Sequence, residues 1–64
     1  MFYRCYFLSA DNRIKDTAEF QGADDPSALT EARRLFAAQK DYAGFELWEG
    51  GRRVHTEFPG RSPR

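Results

Sequence analysis

Two adjacent glycines, Gly50 and Gly51, constrain this chain more than any other feature. They split the run from Gly44 to Pro59 into two short segments in which apolar and polar residues alternate. A period of two marks a strand with one buried side, and a two-glycine loop supplies the positive φ angles of a tight hairpin. Such a loop also sets the register, with Glu49 opposite Arg52, Leu47 opposite Val54 and Phe45 opposite Thr56. Phe45, Leu47, Val54, Thr56 and Phe58 then share one face. On the reverse face Trp48 meets Arg53 as a cation–π pair, and Glu46 meets His55 as a polar, pH-sensitive pair. A tryptophan directed away from the expected core asks for a partner, a ligand or a second layer of protein.

Upstream, residues 2 to 8 (Phe-Tyr-Arg-Cys-Tyr-Phe-Leu) suit a strand better than a helix. Tyr3, Cys5 and Phe7 lie on one side, and Phe2, Tyr6 and Leu8 on the other. A strand apolar on both sides is expected at the centre of a sheet. Ser9-Ala10-Asp11-Asn12 forms a turn, because Asp and Asn tolerate left-handed backbone. From Arg13 to Phe20 the alternation puts Ile14, Ala18 and Phe20 on one face, with Asp16 interrupting it near the sheet's rim. A helix follows. Asp25 is the expected cap and Pro26 the first helical residue, where a missing N–H costs nothing. Ala28, Leu29, Ala32, Leu35, Phe36 and Gln39 form one stripe. Lys40 suits the negative end of the helix dipole, and Gly44 closes the unit.

The expected fold is α+β, with the order β-β-α-β-β and one helix on one face of a four-stranded sheet. The expected strand order is 2-1-4-3, with the meander 1-2-3-4 as the weaker alternative. Residues 1–59 form the single domain, and 60–64 a loose tail. A chain of 64 residues buries only about 60% of its unfolded surface, so it gains from some supplementary staple. Cys5 and His55 are the lone cysteine and histidine. One chain therefore offers neither an internal disulfide nor a Cys/His zinc cage, and self-association is the supplement left.

Ten basic residues balance ten acidic ones, which removes the footprint of a general DNA binder. A hydrophobic content of 41%, including 16% aromatic residues, is too rich for a disordered chain. No apolar run approaches the ~20 residues of a membrane span, and the start carries no leader pattern. An unpaired thiol suits a reducing compartment. The expectation is a cytoplasmic protein without cofactor or metal.

Candidates for chemistry are few. Cys5 as a nucleophile needs a base, and the expected parity sets Cys5 and His55 on opposite faces. Asp24-Asp25 is explained by helix capping, and no helix N-terminus with a basic anchor follows Gly50-Gly51 as a phosphate loop requires. What remains is the face opposite the helix. Phe2, Arg4, Tyr6, Trp48, Arg53 and His55 are the expected contact residues there, because aromatic and arginine side chains anchor interfaces. The reading is a non-enzymatic module binding a second copy or a small protein. The alternative is single-stranded nucleic acid stacked on Tyr6 and Trp48, with Arg4 and Arg53 on phosphates. A third reading has the outer aromatics stacking only on one another and on arginine stems.

The segments FYRCYFLSADNRI, ADDPSALTEARRL and FELWEGGRRV together resemble a family of short uncharacterised proteins common in alphaproteobacteria. Those chains share an aromatic first strand, an acid-acid helix start and a glutamate-leucine-or-valine-tryptophan segment before an arginine-rich strand. The resemblance spans roughly residues 2 to 54 and departs at Asn12, where the family pattern has glycine. It implies a bacterial cytosolic protein and carries no activity over to this chain.

Overall fold

Strands β1 (Phe2–Leu8) and β2 (Ile14–Gln21) form a hairpin, α1 (Asp25–Ala37) covers it, and β3 (Gly44–Glu49) and β4 (Arg52–Glu57) form a second hairpin. This computed structural model describes residues 1–39 and 41–59. The tail expected at 60–64 and the helix-end role expected of Lys40 lie outside the described residues. The class and element order are as expected: one helix and one four-stranded antiparallel sheet.

The strand order differs. The sheet runs β2-β1-β3-β4, so β1 pairs with β3 and not with β4. Side-chain chemistry gives the reason. β3 offers Phe45 and Leu47, both fully buried, whereas β4 carries Arg52, Arg53, His55 and Glu57. A charged strand tolerates an edge, where its outer backbone groups meet water and its charges discourage further pairing. β1 is central as expected.

Tyr3, Cys5, Phe7, Phe45 and Leu47 point inward and form the core with Ala28 and Ala32 of α1. Small residues at those two helix positions let the helix backbone approach the sheet closely. Phe20 stacks on Tyr3 at 6.2 Å, Tyr42 on Phe7 at 5.1 Å, and Phe36 leans on Phe45 at 5.4 Å. The Tyr42 hydroxyl donates to Asp16 at 3.0 Å, which satisfies the carboxylate at the rim where it was expected. Leu29, Leu35 and Phe36 follow the helical stripe, but Gln39 is exposed and lies beyond the end of α1.

The helix cap sits one residue earlier than expected. Asp24, in extended backbone, accepts from the Ser27 amide at 2.9 Å, and Asp25 is already helical. Two consecutive aspartates fit the cap equally well by type, and the sheet decides between them. Asp25 is taken by the Tyr3 hydroxyl at 2.7 Å and by both terminal nitrogens of Arg52 at 3.1 Å. Arg52 also donates to Glu49 at 2.8 Å, so one network ties the helix start to β1 and to the second hairpin.

Two bulges reset the side-chain parity. In β2, Phe7 pairs with Asp16 and Leu8 with Ile14, so Lys15 is an extra residue. Ile14, expected beside Ala18 and Phe20, is consequently turned out and 60% exposed. In β4, Trp48 pairs with Arg53 but Leu47 pairs with His55, so Val54 is the extra residue. Val54 still packs on the core, His55 turns to the helix side, and Thr56 lies across from Glu46. Phe58, expected on the helix side, lies instead against Gly44: a Cβ there would stand 2.8 Å from its ring.

Both tight turns rely on left-handed backbone. Asn12 has φ 68°, a left-handed backbone that asparagine tolerates better than most other residues. Gly50 has φ 61°, while Gly51 is not left-handed. Only the first loop residue uses the freedom that both were expected to need, the φ pattern of a type II′ turn.

Candidate interaction surface

The outer face of the sheet is built from the residues that alternate with the core. Phe2, Arg4 and Tyr6 of β1 point outward because Tyr3, Cys5 and Phe7 point in. Their partners on β2 are Gln21, Glu19 and Thr17. On the other side Arg4 pairs with Trp48 and Tyr6 with Glu46, and β4 adds Arg53 and Thr56. One row across the sheet therefore reads Glu19, Arg4, Trp48, Arg53, and the next reads Thr17, Tyr6, Glu46, Thr56.

Charge on this face is internally matched. Arg4 forms an ion pair with Glu19. Hydrogen bonds to Tyr6 first, and then to Glu19, hold the Arg4 guanidinium above its ordinary pKa. Glu46 accepts from the Trp48 indole nitrogen at 3.0 Å, and the Arg53 guanidinium reaches its other oxygen at 3.9 Å. Each arginine on the face thus has a carboxylate beside it, and the indole N–H is satisfied without leaving the surface. The ring faces remain. Phe2 is 52% exposed, and Tyr6 and Trp48 are half-buried. Phe2, Arg4, Tyr6 and Gly50 surround a shallow depression of about 160 Å³.

Five of the six expected contact residues share this face: Phe2, Arg4, Tyr6, Trp48 and Arg53. His55 does not. The Val54 bulge turns it toward the helix side, where its ring lies 6.2 Å from that of Phe45 and Nε2 is 3.0 Å from Glu57 Oε1. The expected pairing of His55 with Glu46 is replaced by this one. Glu57 also accepts from Arg33 of α1 at 2.9 Å and 3.1 Å. Burial pushes the Glu57 carboxyl up, but the bonds from Arg33 and His55 outweigh it and hold the group below its ordinary range. Arg33 and Glu57 tie the edge strand to the helix, with His55 beside Glu57 on the strand. The spacing of His55 and Glu57, two apart on one strand, carried that signal.

The bulge also changes the relation of Cys5 to His55. Both now face the helix side, with Leu47 between them, since Leu47 pairs with Cys5 on one flank and His55 on the other. Cys5 is fully buried, and burial pushes its thiol up to about 12. A thiol held neutral in this way is a packing group at neutral pH. Among the described residues no three His, Cys, Asp or Glu side chains converge in a way that could hold a metal ion. Nor, among them, is any helix long and apolar enough to cross a membrane.

Sequence reasoning placed Glu46 on this face but gave it His55 as partner, where the structure gives it Trp48 and Arg53. It did not single out Glu19 or Gly50, and the pairing of Glu19 with Arg4 was legible only once the register of β1 on β2 was known. No protein-family model, curated protein or solved structure matches the chain.

Proposed function

We propose that this protein is a non-enzymatic self-associating module that pairs through its outer sheet face. The observation that carries the reading is Phe2, more than half exposed beside Arg4 and Tyr6 on the sheet face opposite the helix, with Trp48 in the adjoining row. Aromatic side chains grouped with arginine are the typical anchors of protein interfaces. The pairing of Arg4 with Glu19 and of Arg53 with Glu46 favours a protein partner over nucleic acid. Arginines already neutralised by carboxylates release few counterions from a phosphate backbone. Cys5, the lone cysteine, fits a reducing interior. With the resemblance to short alphaproteobacterial chains, the proposed setting is the bacterial cytoplasm.

Sedimentation velocity across a concentration series tests the reading. The wild-type chain is expected to sediment as a dimer, and Trp48→Ala or Tyr6→Ala as a monomer with a lower Tm. A wild-type chain that stays monomeric to millimolar concentration would overturn it. So would salt-sensitive quenching of Trp48 by single-stranded oligonucleotides on a monomeric chain.

A further inference from the structure

We infer that two copies lock together by exchanging Phe2, each ring seated in the depression formed by Phe2, Arg4, Tyr6 and Gly50 of the other. This inference rests on the self-association reading and specifies its contact. The depression suits a phenyl ring in size. It measures about 160 Å³, and a cavity of about 150 Å³ is known to accommodate benzene. It suits one in chemistry as well. The Tyr6 ring gives it an aromatic wall, the Arg4 guanidinium stands ready for the face of a π system, and Gly50 opens the remaining side. A Cβ built on Gly50 meets nothing within 4 Å, so the opening faces solvent and not a neighbouring strand.

The same chain carries the fitting side chain at the rim of that depression. Phe2 is half exposed and stands next to the site that would receive its counterpart. In a two-fold dimer every contact is made twice, so a protrusion beside a matching hollow is self-complementary. The two Phe2 rings then lie near the axis and against one another. Charge does not oppose a second copy, because Arg4 and Arg53 each have a carboxylate beside them.

Two variants and one spectrum test the contact. Phe2→Ala removes the ring from a half-exposed position, so the fold survives, and the dimer is expected to weaken by about thirty-fold or more. Phe2→Glu keeps a long side chain at the same half-exposed position but sets two carboxylates against one another at the axis. It is expected to dissociate the dimer while leaving the monomer's Tm close to the wild-type value. In a mixture of isotopically labelled and unlabelled chains, filtered NOE spectra are expected to show the Phe2 ring against Gly50 and Tyr6 of the other copy. A dimer that keeps its affinity in both variants and shows no such cross-peaks overturns the exchange and leaves the outer-face reading standing. A chain that never dimerises overturns both.

Discussion

Gly44→Ala adds a single methyl group where the structure leaves no room for it. A Cβ at Gly44 would stand 2.5 Å from the Glu57 carbonyl oxygen and 2.8 Å from two atoms of the Phe58 ring. The ring can turn aside. The carbonyl cannot, because it belongs to the backbone of β4 where that strand closes on β3. Overpacking of this kind costs about 1–3 kcal/mol, and the stiffer unfolded chain offsets only about 0.4–1 kcal/mol of it. A domain of this size has only ~3–10 kcal/mol in total, and each kcal/mol moves Tm by about 4–8 °C. A net loss of about 1–2 kcal/mol therefore lowers Tm by roughly 5–15 °C. Circular dichroism on heating and urea titration at constant slope measure it. Gly51→Ala is the control. Nothing lies within 4 Å of its Cβ and its φ is not left-handed, so it should be neutral or slightly stabilising. A Gly44→Ala chain as stable as wild type would show that β3 and β4 do not close in this way.

Four further outcomes follow from the core and its ion pairs. Leu47→Ala, at a fully buried position beside Cys5, is expected to cost about 2–5 kcal/mol in urea titrations, most of the domain's stability. Cys5 is expected to react with iodoacetamide far more slowly in the native than in the denatured chain at pH values where the free thiol begins to ionise, because burial raises its pKa to about 12. Asp25 is held below its ordinary 3.8 by Arg52 first and then by Tyr3, so its stabilisation is present at neutral pH and lost as pH falls below about 4. Asp25→Asn should destabilise the neutral protein and flatten that acid slope. Burial and then the bond to Asp25 raise Tyr3 from 10.0 to about 12, so its contribution is intact below pH 10 and lost as pH rises through about 12. Tyr3→Phe should remove that alkaline loss.

Local chemistry made most of the fold legible. Alternation in residues 2 to 8, an aspartate-proline helix start and a two-glycine loop each specify an element from a few neighbouring residues. The failures were of another kind. A bulge adds one residue to one strand and shifts which residues face the core, and no residue type around Lys15 or Val54 marks it in the sequence. The consequence was large for the candidate surface, since one extra residue carried His55 from the outer face to the helix side. Strand order depends on which hairpin edge meets β1, a contact between residues about forty apart. The cap moved by one because Tyr3 and Arg52, both distant in sequence, claim Asp25. Trp48 kept its outward direction because the extra residue lies in β4 and the register of β3 on β1 is unbroken.

The single tryptophan reports directly on the face at issue. Emission and acrylamide quenching of Trp48 across a dilution series follow that side chain alone. The account predicts a blue-shifted, protected indole at high concentration that moves to the red and becomes quenchable as the dimer dissociates. Emission and quenching that stay constant while the mass halves would place the association elsewhere on the molecule and contradict the account.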